Sequence, residues 1–339
     1  EAMIQQLETS FPGSSKGYEK FLKTESARFD RMYPCLQKDY SSYKKFLSLD
    51  LLKALPKLSL GRSLIGVLGD YFKSDKLKLS FTFQSKYLGM SAWDCPGAFG
   101  ILPYVEHAYG IYHVTGGLSE ISQGMAKVCE EHGVDIRLSS PVKELTLDGR
   151  NVTGVELEDG EKVFADETVL NADFGYAMKN LVPPGVLKRY TPEKVDSKEY
   201  SCSTFMLYLG VDKIYDLPHH TIFFAGDYKK NIEDVFNNKV LSEDISFYVR
   251  NASINDPTLA PEGHSALYVL VPVPNCTADI DWLENTEDFK ERVISAMEKR
   301  AEMSDIREHI KEEVVYTPKT WMDTNIQFGA TFNLAHSLN

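Results

Sequence analysis

No G-x-G-x-x-G turn occurs anywhere in the 339 residues. The nearest spacing, Gly61 to Gly66, lacks the middle glycine and follows no strand-like run. The chain therefore supplies no turn of the kind that seats a pyrophosphate at a helix N-terminus. Cysteine is scarce and odd in number: Cys35, Cys95, Cys129, Cys202 and Cys276, with no C-x-x-C. That excludes a disulfide framework and a zinc or dithiol motif, and it fits reduced thiols in a cytoplasmic setting. No apolar run reaches spanning length and no signal-peptide pattern is present. Basic residues are outnumbered, 37 to 49, for a formal net charge of −12. That balance argues against a nucleic-acid partner, which needs a concentrated basic face.

What the chain has in quantity is aromatic: eighteen Tyr and eighteen Phe. Such residues fill large cores, and they also line long apolar channels. The organising stretch is residues 110–173. Gly116-Gly117 opens it, followed by Leu118, Ile121, Met125 and Val128 at helical spacing, with Gly133 as the stop. Residues 134–138 alternate as a short strand. Residues 142–147 and 152–157 form a hairpin across Asp148-Gly149-Arg150-Asn151. Asp159-Gly160 turns into residues 162–165, and residues 167–170 read as a returning strand into Asn171-Ala172-Asp173.

GIYHVTGG, SPVKEL, GVELEDGE and LNAD within this stretch resemble the bacterial-type phytoene desaturases, the carotenoid desaturase family of FAD-dependent oxidoreductases. FQSKYLGMS, ILPYVEHAYG, HHTIFF, DISFYVR, DPTLAPEG and YVLVPVP continue the likeness, which covers most of residues 78–328. The resemblance implies a mixed α/β fold. Part of a two-dinucleotide-binding flavoprotein domain (105–175) would lie between a helical, membrane-facing part that begins the substrate domain (1–104) and a mixed or antiparallel substrate sheet (176–339). It implies FAD as cofactor and desaturation of phytoene, or a related C30 or C40 precursor, towards lycopene-type polyenes. Both ends of the chain read as mid-domain sequence, so the expectation is an internal fragment, colourless and inactive alone.

By the same resemblance Gly116, Gly117, Val142, Ala172 and Asp173 flank the cofactor. Glu106 and Asp173 are the acidic candidates for proton transfer, with no base singled out. Phe81, Phe83, Tyr208, Phe247, Tyr248 and Tyr268 are expected to include the lining of an elongated apolar cavity. Alternation along a strand lets only one of Phe247 and Tyr248 belong to it.

Residues 1–43 read as helical, broken at Pro12-Gly13. Residues 44–78 carry eight basic side chains against three aspartates, a net +5, among many leucines. Such helices suit an anionic membrane surface or a solvated face over a buried stripe. The resemblance favours the membrane, from which a hydrocarbon substrate is delivered. Further on, residues 203–211, 244–250 and 266–273 read as strands, and residues 285–300 as a helix capped by Asn285 or Thr286 with Phe289, Val293 and Met297 on its apolar stripe. The adjacent His219 and His220 read as turn or surface residues, and no metal site is expected. Two other readings stay open here: a flavin amine oxidase-like enzyme, and a non-enzymatic carotenoid- or lipid-binding protein.

Overall fold

A computed structural model describes residues 1–42 and 48–335, apart from the side chain of Tyr87. The chain divides into two compact units, Glu1–Tyr112 and His113–Ala335. The meander and the larger sheet thus share one unit, with no division near residue 175.

The first unit is helical. Helices α1 (Ala2–Ser10) and α2 (Ser15–Leu36) are separated at Pro12-Gly13, where Gly13 takes a φ of +81°. Short helices α3 (Leu49–Ala54), α4 (Leu64–Leu68) and α5 (Asp75–Ser80) each start on a serine whose hydroxyl accepts a backbone N–H. Helix α6 (Ile101–Tyr109) ends at Gly110. The core is aromatic: Phe21, Phe72 and Phe81 are almost fully buried, with Phe72 and Phe81 ring centroids 4.7 Å apart. A buried ion pair joins Glu25 to Arg28 at 2.9 Å, and Arg28 also reaches the Gly97 carbonyl and the Ser59 hydroxyl. A desolvated charge is tolerated only when it is paired in this way.

The second unit opens with α7 (Ser119–Glu131), then a three-stranded antiparallel meander of β1 (Val142–Asp148), β2 (Asn151–Leu157) and β3 (Lys162–Phe164). Asp148 pairs with Asn151 across Gly149-Arg150, the expected hairpin. Residues 134–138 and 167–170, expected as strands, are not strands. Alternation makes a strand only when a neighbour supplies the ladder, and no described residue pairs with either segment. Val134, Ile136, Leu138, Val169 and Leu170 are exposed in consequence.

The main sheet has five antiparallel strands in the order β5-β6-β7-β4-β8: β4 (Ser203–Val211), β5 (His220–Phe223), β6 (Phe247–Asn251), β7 (Ser265–Val273) and β8 (Ile310–Tyr316). One face carries Phe205, Leu207, Phe247, Val249, Val269 and Val271, and it packs with the helix Trp282–Arg300 through Phe289, Val293 and Met297. That helix starts one turn earlier than Asn285: Asp281 is its cap, accepting the Leu283 N–H at 2.8 Å. Trp282 is thereby drawn into the core beside Phe205, centroids 5.8 Å apart.

Candidate active site

The register of the main sheet places two rows of side chains on the face opposite that core. In the first row His220, Arg250, Tyr268, Tyr208 and Val314 stand opposite one another across the five strands. In the second, two residues along, stand Ile222, Tyr248, Leu270, Met206 and Tyr316. The tyrosines touch directly across the first row, Tyr208–Tyr268 at 5.4 Å, and diagonally between the rows, Tyr248–Tyr268 at 6.0 Å and Tyr208–Tyr316 at 5.8 Å between centroids. Edge-to-face pairs of this kind leave a ribbed apolar surface with polar tips. Burial raises the Tyr208 and Tyr268 phenols above their usual range, helped by Tyr316 and Tyr208 respectively.

At one end of this face lies a polar cluster assembled from four separate sequence motifs. Asp256, nearly fully buried, accepts His113 Nε2–H at 2.7 Å and Gly116 N–H at 2.9 Å on Oδ2. On Oδ1 it accepts the Thr258 N–H at 3.1 Å and hydroxyl at 2.6 Å. Thr258 and His113 lead the interactions that hold its carboxyl far below the usual range. Arg250 Nη2 donates to His113 Nδ1 at 3.1 Å. An arginine only donates, so Nδ1 must present its lone pair and Nε2 must carry the hydrogen that Asp256 takes. Both ring nitrogens of His113 are thus assigned by their partners.

His219 lies 5.0 Å from His113 and 4.3 Å from His220 between centroids, and His220 Nδ1 is 2.6 Å from the Tyr248 hydroxyl. Burial lowers both His219 and His220 below the ordinary imidazole value, and Arg250 adds to it in each case. The pair forms a network at the start of β5, with His220 exposed at the surface.

The glycine turn next to this cluster is bare backbone. Gly116 and Gly117 take φ of +84° and +99°, a region that costs other residues dearly. Their N–H groups are satisfied inside the chain, by Asp256 and by the Val114 carbonyl at 2.9 Å. Asp173 is occupied otherwise: its Oδ1 caps Tyr176 N at 2.8 Å and accepts Gln327 N at 3.2 Å. Val142 pairs with Leu157 in the meander, and Ala172 is exposed.

The remaining sequence-derived residues lie elsewhere. Phe247 faces the core, stacked on Phe223 at 4.7 Å, while Tyr248 takes the open face. Phe81 is buried in the first unit against Phe21, Phe72 and His107, and Phe83 opens the short turn Phe83–Leu88. Glu106 bonds to Gln84 and His107 to Tyr18, so these sequence neighbours part company. Burial raises the Glu106 carboxyl above the usual range. Sequence reading passed over His113, Arg250 and Asp256. The available signal was Asp256-Pro257-Thr258, a capping residue followed by proline at the first position of a turn.

The chain belongs to the flavin-containing amine oxidoreductase family, whose pattern matches residues 10–337. Within that family it falls among the carotenoid desaturases. It is 52% identical over 340 residues to a 4,4'-diapophytoene desaturase (4,4'-diapolycopene-forming) of Methylomonas, covering all of this chain and 66% of that protein. It is 38% identical to an all-trans-zeta-carotene desaturase of Myxococcus xanthus, with 84% and 54% covered. With a 4,4'-diapophytoene desaturase (4,4'-diaponeurosporene-forming) of Staphylococcus haemolyticus the identity is 32%, with 99% and 69% covered. The chain thus spans from about half to about two thirds of the length of these relatives. Among solved structures, a protein from Pyrococcus furiosus superposes with a TM-score of 0.53 at 16% identity, over 77% of this chain and 59% of that one. An oxidoreductase from Methanosarcina mazei does so with 0.50 at 17%, over 84% and 62%. These two likenesses concern the fold alone.

Proposed function

We propose that the chain forms the substrate sheet and part of the flavin layer of an FAD-dependent carotenoid desaturase acting on phytoene or 4,4'-diapophytoene. The observation that carries this reading is the tyrosine-ribbed open face of the five-stranded sheet, clamped at one end to the Gly116-Gly117 turn by Asp256 and His113. A saturated C–C bond flanked by alkenes loses two hydrogens, and a bound flavin supplies the hydride acceptor that no side chain provides. The protein's own part is to hold an apolar chain in place, exclude water and take a proton. Tyr208, Tyr248, Tyr268 and Leu270 give the apolar hold, and the glycine turn gives a backbone against which the flavin ring lies. The 52% identity to a diapophytoene desaturase supports the substrate class.

A second element of the reading is delivery from a membrane surface. No helix among the described residues is long and apolar enough to cross a bilayer. In the first unit, however, Leu49, Leu52, Leu55 and Leu60 are exposed beside Lys53 and Lys57. Apolar side chains rimmed by lysine are what an anionic interface takes up. Arg62 is committed to Asp70 at 2.7 and 2.9 Å, and Lys44, Lys45 and Leu47 lie outside the described residues. The decisive experiment is to express the full-length protein containing this chain and supply phytoene and 4,4'-diapophytoene in vesicles. A flavin absorption spectrum with coloured polyene product is expected. A colourless protein that converts neither substrate overturns the reading.

A further inference from the structure

Desaturation sheds a proton as well as a hydride, and the polar cluster at the end of the open face narrows where that proton can go. Asp256 is buried and already accepts four hydrogen bonds. His113 has both nitrogens committed, one to Asp256 and one to Arg250. Arg250 only donates. His219 buries its Nε2 without a hydrogen-bond partner among the described residues. That leaves the pair whose hydroxyl lies on the open face and whose imidazole meets solvent.

We propose that Tyr248 and His220 form the proton outlet of the reaction, Tyr248 being the group that touches the substrate. Tyr248 stands in the second row of the open face, between Ile222 and Leu270, with its ring beside Tyr268. Its hydroxyl is 2.6 Å from His220 Nδ1, a distance for direct proton transfer. His220 is exposed, at the first position of the edge strand β5, so a proton it receives passes on to water. This assignment rests on the desaturase reading above.

The step balances as follows. One C–H bond breaks and its electron pair leaves with the hydrogen, as hydride to oxidised flavin. The neighbouring C–H bond breaks and leaves its pair in the new C=C. The freed proton goes to the Tyr248 oxygen as the phenolic proton moves to His220 Nδ1. The imidazolium then releases it to solvent. The charged and titratable groups facing His220 are Tyr248 and Arg250 from β6, His219 from the preceding position and His113 from the glycine segment. Partial desolvation of the ring, together with His219, Arg250 and His113, lowers His220 below the ordinary imidazole value and leaves it neutral near pH 7.

The test uses full-length holoenzyme carrying Tyr248→Phe or His220→Gln, checked for folding by flavin absorption and melting temperature. Each variant should lower kcat by roughly 10²-fold with KM little changed. His220→Gln should also abolish the acid limb of the kcat–pH profile, which a purely structural role would leave in place. A readout independent of turnover is the ring NMR titration of His220 in the wild-type protein. Its midpoint should lie below the ordinary imidazole value and move in Tyr248→Phe. Should either variant fail to fold, Tyr248→Leu or His220→Asn takes its place: a kcat lowered roughly 10²-fold supports the outlet, and an unchanged kcat overturns it. A wild-type enzyme that desaturates while both variants match its kcat and pH profile overturns this assignment alone. A wild-type enzyme that desaturates nothing overturns the reading beneath it as well.

Discussion

Asp256 Oδ2 lies 2.7 Å from His113 Nε2, and the two stand 143 positions apart in the chain. The contact fastens the segment before the glycine pair to the loop after β6, so one carboxylate sets the position of the turn relative to the sheet. Carboxylates that accept several N–H bonds are strongly held in the ionised form.

Asp256→Asn should destabilise the second unit, because in either orientation the amide NH2 would face donors: His113 and Gly116 on one side, Thr258 on the other. The loss expected is about 1–3 kcal/mol, or roughly 2–4 °C of melting temperature per kcal/mol. Asp256 titrates lower folded than unfolded, so its contribution is present above the unfolded value of 3.8 and is lost as pH falls below it. Melts of wild type and variant at pH 3 and pH 7 check this: the gap should shrink at the lower pH. A constant gap refutes the charged role of Asp256.

Glu106→Gln should behave in the opposite sense in the first unit. Burial raises the Glu106 carboxyl, partly offset by Gln84. Its folded value therefore exceeds the unfolded 4.5, and its contribution is present below 4.5 and lost as pH rises through the folded value. The variant should gain melting temperature relative to wild type between pH 4 and pH 7. An unchanged difference at the two pH values would count against a buried, uncompensated carboxylate.

Phe289→Ala removes a ring packed 4.9 Å from Phe205 and 6.0 Å from Trp282, at the centre of the sheet–helix core. A cost of about 3–5 kcal/mol is expected from the lost burial and the cavity left behind. Denaturant titration of the two proteins reads it directly. A loss under about 1 kcal/mol would mean that the long helix is not the main cover of that face.

Leu52→Asp with Leu55→Asp should abolish sedimentation with anionic vesicles, while Lys53→Glu with Lys57→Glu should weaken it and remove its salt sensitivity. Arg62→Glu is a poor probe, since it also breaks the pair with Asp70. Binding that survives both double variants shows that these leucines serve another purpose.

Local pattern made much of this architecture legible. Residues 203–211 read as a strand and are one, because a continuous apolar run with a buried register needs no distant information. Phe289, Val293 and Met297 share a stripe by spacing alone. The site was hidden for the opposite reason. The row His220–Arg250–Tyr268–Tyr208 exists only once four strands from distant parts of the chain are in register, and no single window contains it. The burial of Asp256 likewise depends on donors from residues 113 and 116. Residues 134–138 alternate correctly and still form no strand, since alternation specifies a face and not a neighbour.

Helix α7 has thirteen residues and buries none of them; Leu118, at its cap, and Ile121, Met125 and Val128 along it all stay in contact with water. In isolation a helix of that length is marginal in water, so covering its stripe has much to add. On the flavin reading proposed above, the glycine turn that leads into it would receive a ring system best in molecules where the helix is wound. Whatever covers the stripe would then favour cofactor binding without touching the cofactor. Amide exchange along α7, measured with and without flavin, would read that coupling.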